Sequence, residues 1–312
     1  MFVFFLPVII LSYGADVFIS KNLAKSSSGA NPAWKAIFNG KVNSDIVIYG
    51  SSRATEHLDP KIFSDSLKHT TYNLAVYAHN FWLQYLRHRL LLKYNPKPKV
   101  IIYSLDFATF QKRADLFDPG QFLPYMLDDT LIEKYTKSYK GYTVYDYKIP
   151  LVRYYGQMRY IHQAISQFTG KAPDVPDTAK GYSPSAEQTF TVFAEMAAKQ
   201  NGYEIEFDKP SLVLFDQYLR ECQKDNIRVI FVYTPEYIDG QHFIRNRAQL
   251  FDIIHQFSKK YDIPFYDYTA DTMSYKKTYF YNSEHLNKTG SQLFTKKFVG
   301  NLKHRDGAMF KF

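Results

Sequence analysis

A single cysteine, Cys222, stands in the whole chain of 312 residues. A disulfide framework and a thiolate metal site are therefore excluded. Cys222 falls in a helical pattern with Leu214, Tyr218 and Leu219 that suits a small buried hydrophobe. No His, Asp or Glu spacing recurs in a form that would hold a metal, and neither metal nor other cofactor is expected. Basic residues outnumber acidic ones, for a net charge of +9, yet they are scattered. No dense Lys/Arg run, zinc-finger spacing, RNA-recognition signature or P-loop is present, so nucleic acid is not an expected partner. Scattered positive charge suits other anionic surroundings, a phospholipid surface or a cell-wall polymer.

What is plentiful is aromatic. The chain has 27 Tyr and 26 Phe, within an apolar fraction of 46%. That fraction excludes a disordered chain, and the length allows one large domain with a sizeable insertion. Tyrosine rings, apolar with a polar tip, serve core packing and sugar-contacting surfaces alike.

The opening, "MFVFFLPVIILSYGADVFIS", has no basic residue ahead of its apolar run. The run over residues 2–13 is short for a membrane span of roughly 20 residues and reaches that length only by burying Asp16. Residues 1–23 read as a signal or anchor segment. Residues 24–40, with "AKSSSGANPAW", read as a linker. Residues 41–312 read as the globular domain, exported or membrane-anchored and extracytoplasmic in the cell envelope.

Along that domain "DIVIY" (45–49), "TYNLAVY" (71–77), "KVIIYSLD" (99–106), "IRVIFVYTP" (227–235) and "IPFYDY" (263–268) read as strands. Helices are expected between them: from an Asp59 cap and Pro60 to about Leu67, from Asn80 to the Asn95-Pro96 stop, and over 211–224, 241–260 and 289–302. Such alternation predicts a doubly wound, mostly parallel five-stranded α/β sheet flanked by helices. Ligands of such sheets gather at the carboxyl ends of the strands. Gly50-Ser51-Ser52, the loop after Asp106 and the segment after Tyr268 all lie there. The interval 115–208 breaks the pattern. It carries eight tyrosines between Tyr135 and Tyr160 and reads as an inserted, mainly helical cap.

Near the far end, "YFYNSEHLNKTGSQLF" places His285 among the polar residues Ser283, Glu284, Asn287 and Lys288, unlike a core histidine. His57 and His79 are the others within reach of the rim. A serine at one strand end and a histidine in a late rim loop fit nucleophilic catalysis, in which the imidazole takes the hydroxyl proton. Arg53 has two readings: a clamp for an anionic substrate, or a salt bridge to Glu56 or Asp59 that fixes the loop.

Gly50-Ser51-Ser52 together with His285-Leu286-Asn287 resembles the SGNH (GDSL-type) hydrolase superfamily. The likeness is nearest its membrane-anchored branch of teichoic-acid D-alanyl transfer and alginate acetylation proteins, and spans about residues 43–302. It implies an SGNH/flavodoxin-like fold with Ser52 as nucleophile, His285 as general base, and the N–H groups of Ser52 and Ala78 as the oxyanion hole. Ser51 takes the place of the family's usual Asp, and Asn73 opens the second block. Two departures stand out. Asp106 occupies the third block, where the family has asparagine, and suits a loop-holding role. Asn282 occupies the position of the triad aspartate, with Glu284, Asp267 or Asp271 as carboxylates that could substitute. The resemblance implies a serine esterase or O-acyltransferase on an acylated cell-envelope polysaccharide, with a membrane acyl-donor protein as a further partner. The alternative is a catalytically weakened relative that binds glycan or assists envelope assembly.

Overall fold

The apolar runs pair as a parallel sheet. The computed structural model describes residues 2–26, 31–78, 80–172, 177–186 and 202–312. Strands β1 (Ile46–Tyr49), β2 (Thr71–Asn73), β3 (Val100–Leu105), β4 (Arg228–Tyr233) and β5 (Phe265–Asp267) form one sheet. Their order is β2-β1-β3-β4-β5, every neighbouring pair parallel. That is the flavodoxin-like order of a doubly wound sheet. The helices are α1 (Phe2–Leu23), α2 (Asn31–Phe38), α3 (Ser52–His57), α4 (Pro60–Leu67), α5 (Phe81–Tyr94), α6 (Thr130–Thr136), α7 (Met158–Phe168), α8 (Lys209–Lys224), α9 (Ile238–Phe243), α10 (Arg247–Tyr261) and α11 (Lys288–Asp306).

Burial on both faces explains why β1, β3 and most of β4 are near-continuous apolar runs rather than alternating. On one face Ile46, Ile48, Val100, Ile102, Ile230 and Val232 pack with Phe63 of α4 and with Phe294 and Phe298 of α11. On the other, Tyr103 meets Phe215 of α8, and Phe81 of α5 meets the same ring edge-on at 4.7 Å. The Asp59 side chain caps α4 by accepting the Lys61 N–H, and Asn287 caps α11 by accepting the Gly290 N–H. Two expected elements differ. The second strand stops at Asn73, and the helix expected over 241–260 is two helices, α9 and α10, broken at 244–246.

The chain divides into two units. One comprises Val42–His88, Asn95–Lys112 and Ala179–Phe312 and holds the sheet; the other comprises Met1–Lys41, Arg89–Tyr94 and Arg113–Thr178. In the second unit α1 is partly buried. From Asp16 onward it enters the unit's interior: Asp16, Ser20 and Leu23 are buried. Asp16 accepts from Arg153 Nη2 and from the Leu151 N–H, both at 2.7 Å. Ahead of Asp16, Leu6, Val8, Ile9, Ile10, Leu11 and Tyr13 are exposed. Over Leu6–Leu23 the helix is long and apolar enough to cross a membrane.

The stretch expected as a linker, 24–40, is structured where it is described. Asn31-Pro32 opens α2, since proline suits a first helical turn. Its Trp34 and Ile37 are fully buried, with the Trp34 indole donating to Gln121 at 2.9 Å. Residues 27–30 of that stretch, 173–176 and 187–201 of the expected insertion, and His79 lie outside the described residues. The interval read as one insertion divides between the units. Five of its tyrosines, Tyr125, Tyr135, Tyr139, Tyr147 and Tyr154, are buried in the second unit, whereas Tyr145 and Tyr155 are exposed. Residues 179–186 belong with the sheet, where the Asn73 N–H donates to the Lys180 carbonyl.

Candidate active site

With strand order 2-1-3-4-5 the chain leaves β1 and β3 toward opposite sides, opening a crevice at their carboxyl ends. Gly50-Ser51-Ser52 ends β1 there and Asp106 ends β3. Gly50 has φ +147°, and a Cβ at this position would lie 2.6 Å from the Ala54 Cβ and 2.8 Å from the Ser104 carbonyl. Only glycine lets the strand turn straight into α3, whose first residue is Ser52.

The two serines are committed to different partners. Ser51 is buried and donates its hydroxyl to Asp106 Oδ2. Asp106 Oδ1 accepts the Ala108 N–H at 2.8 Å and the Thr109 hydroxyl at 3.2 Å. Asp106 thus holds the rim turn after β3 and fixes Ser51. Burial raises its carboxyl, and the Arg53 charge opposes the rise. Ser52 instead places its Oγ 2.8 Å from His285 Nε2.

His285 sits in a tight hairpin. The Tyr281 N–H donates to the His285 carbonyl at 2.8 Å, and the Asn287 N–H to that of Tyr279 at 2.9 Å. Asn282 Oδ1 accepts three donors at once: the N–H of Glu284 at 2.9 Å, the N–H of His285 at 2.8 Å and the imidazole Nδ1–H at 3.1 Å. Two backbone donors identify that atom as the amide oxygen. It follows that Nδ1 carries the ring proton and Nε2 is left to accept from Ser52. Burial, reinforced by the Arg53 charge and opposed by Glu236, lowers the His285 pKa to about 4. At neutral pH the ring is an unprotonated base.

Arg53 follows Ser52 and is fully buried. Its partner is neither Glu56 nor Asp59, as local spacing had suggested. Nη1 donates to Glu236 Oε1 at 2.6 Å, and Nη2 donates to the Thr234 carbonyl and, at 3.0 Å, to the Thr234 hydroxyl. Its Nε has no hydrogen-bond partner. Burial opposes the charge, but Glu236 and Tyr233 hold its pKa above the ordinary value. The guanidinium is consumed by the scaffold. Glu56 accepts from Ser185, and burial pushes its carboxyl up to about 6.

The remaining expected residues divide between scaffold and rim. Asn73 is fully buried; its amide donates to the carbonyls of Ala54 at 2.8 Å and Leu58 at 3.0 Å, tying α3 to β2. The loop after Asn73 runs beside β1, the Leu74 N–H on the Ile48 carbonyl and the Val76 N–H on that of Gly50. It ends at Ala78, which has φ +55°, a left-handed conformation that costs alanine about 1 kcal/mol or more. Glu284 is half-buried. Burial pushes its carboxyl up to about 7, with Glu236 adding to the rise and Arg53 opposing it. The ring Nδ1 is held by Asn282. Asp267 accepts from the Thr269 N–H, and Asp271 from Met273 and Lys297.

Thr234 and Glu236 were not among the expected residues. Their signal was present, since "TPE" directly follows an apolar parallel strand and so occupies the same rim as Ser52. His57, one of the two ambiguous histidines, is fully buried. No protein-family model matches the chain, and no curated protein matches it.

Proposed function

We propose that this chain is a serine esterase or O-acyltransferase that acts on an acylated cell-envelope polysaccharide. The observation that carries the reading is the 2.8 Å contact between Ser52 Oγ and His285 Nε2, with Nδ1–H held by Asn282. In the proposed step Ser52 Oγ attacks the ester carbonyl as its proton passes to Nε2. The N–H groups of Ser52 and Ala78 would receive the oxyanion. Collapse expels the alcohol, which takes the proton from His285, and leaves acyl-Ser52. Water or a sugar hydroxyl then attacks the acyl group while His285 accepts its proton, and the serine is regenerated. The net positive charge of the chain and the apolar α1 support an envelope setting, with α1 as anchor and a membrane acyl-donor protein as partner. A second reading, a glycan-binding protein without turnover, is favoured by Asn282, which lacks the charge of a triad carboxylate.

Treating the full-length chain in detergent with a fluorophosphonate and mapping the modified peptide separates the two. Label on Ser52 and not on Ser51 is the expected result. A folded protein with neither serine labelled would favour the binding reading.

A pH dependence follows from Glu284. Its carboxyl is neutral below about 7 and anionic above. Glu284 immediately precedes His285, and on the proposed mechanism an anion there would lower the barrier to forming the imidazolium. Labelling of Ser52 is expected to speed up by roughly two- to tenfold between pH 6 and 8, and Glu284→Gln to flatten that rise. An unaltered profile in the variant would exclude Glu284 as its source.

A further inference from the structure

Ser52 and His285 stand on two separate short pieces of chain, a six-residue helix and a hairpin. For proton transfer their contact must be held to within about half an ångström. The hydrogen bonds around His57 provide the link. His57 is the last residue of α3, the helix that Ser52 begins. Its Nε2 accepts the N–H of Leu286, the residue after His285, at 2.8 Å. With Nε2 an acceptor, Nδ1 bears the proton, and it donates to Thr234 Oγ1 at 2.8 Å. The same Oγ1 accepts from Arg53 Nη2, and the His57 carbonyl is bound by the Thr295 hydroxyl of α11 at 2.8 Å. His57, Thr234 and Leu286 are all fully buried.

We infer that His57, oriented by Thr234, is a positioning residue for the Ser52–His285 pair: a strut from the nucleophile's helix to the backbone that carries the base. The inference rests on the acylation reading above. His57 does not touch the reacting atoms; its ring meets that of His285 edge-on, with centroids 6.1 Å apart. The tautomer matters. If Nε2 carried the proton, it would face the Leu286 N–H as a second donor, and the hairpin would be pushed away. Thr234 Oγ1 prevents this by accepting at Nδ1. Burial, with the charge of Arg53, keeps the His57 pKa well below its ordinary value, so the ring stays in the one form that bridges the two segments.

Thr234→Val tests the strut cleanly, because it removes the acceptor at nearly constant volume. Arg53 keeps its bond to the Thr234 carbonyl and to Glu236. With fluorophosphonate on the full-length chain, the maximal rate of Ser52 labelling is expected to fall roughly 10- to 100-fold, as for other groups that orient a catalytic residue. The half-saturating concentration is expected to stay unchanged. Thr234→Ser is expected to restore the rate, and His57→Gln, whose amide oxygen can accept the Leu286 N–H, to recover part of it. Equal maximal rates in wild type and Thr234→Val would overturn the inference. A wild-type protein without label would instead sink the acylation reading, and the strut would then be read by 15N-imidazole NMR. Nδ1–H tautomers are expected for both His57 and His285, with the His285 signals shifted or broadened in Thr234→Val. Unmoved His285 signals would overturn the strut.

Discussion

Asn282→Asp is expected to accelerate acylation of Ser52, by up to about 10⁴-fold, the size of the loss when a triad aspartate becomes asparagine. In the native chain the Asn282 oxygen accepts from the imidazole Nδ1–H, but on the proposed mechanism it would offer no net charge to the imidazolium formed when Ser52 loses its proton. Burial and the Arg53 charge, opposed by Glu236, separately hold the His285 pKa at about 4. Such a ring is fully available as a base at neutral pH, yet has little affinity for the proton it must take. A carboxylate at 282 would accept the same three N–H groups as charge-assisted bonds and raise that affinity. The sign of the pH effect is fixed. On the proposed mechanism the unprotonated ring is the active form, so the rate is expected to fall as pH drops through its pKa. That limb is expected near pH 4 in the native protein and closer to neutrality in the variant. Labelling rates between pH 3.5 and 8 measure both effects together. A faster variant with an unmoved limb, or a moved limb without acceleration, would separate the charge on the ring from the chemistry of the serine. Neither change would remove position 282 from the mechanism.

Much of this architecture was legible in the residues, for identifiable reasons. Runs such as IVIY and VIIYSL are apolar on both faces, which suits a parallel sheet covered by helices, and their spacing left room for little but crossover helices. The carboxyl rim followed from that topology, and with it the meeting place of Ser52 and a histidine 233 residues further on. What was not legible were partnerships that obey no local period. Arg53 had two readings, a clamp for an anionic substrate or a salt bridge to Glu56 or Asp59, carboxylates close to it in the chain. Its true partner lies 183 residues on, brought close only because β4 ends on the same rim as β1. The stretch 24–40 failed differently. A serine- and glycine-rich run followed by Asn-Pro is a loop signal and equally a helix start. Trp34, an unlikely residue for a solvated tether, was the tie-breaker. Asp106 was read as holding a rim loop, and it accepts the Ala108 N–H and the Thr109 hydroxyl there. Its bond to Ser51 needed the register of β1 on β3 to be seen.

Glu236→Gln is expected to destabilise the sheet-bearing unit by about 3–5 kcal/mol, the usual consequence of breaking a buried ion pair from one side. Glu236 is 1% exposed and accepts from Arg53 and from Arg247, each at 2.6 Å, and from the Tyr233 hydroxyl at 3.0 Å. Removing its charge leaves two guanidinium groups facing one uncharged amide, one of them fully buried. Thermal unfolding followed by circular dichroism should move down by on the order of 10 °C; an unchanged midpoint would mean that the pair contributes nothing net. Arg53→Met with Glu236→Leu asks the complementary question. A hydrophobic pair of similar volume often matches or exceeds a buried ion pair in stability, so the double variant is expected to unfold close to the native temperature. It should nevertheless differ at the site. Arg53 is one of the charges that press the His285 pKa down and Glu236 the one that lifts it, and the Arg53 effect is the larger of the two. Without both, the acid limb should move above pH 4. Native stability combined with a displaced limb would show that the pair under the nucleophile is maintained for the protonation state of the base, because the fold does not need it.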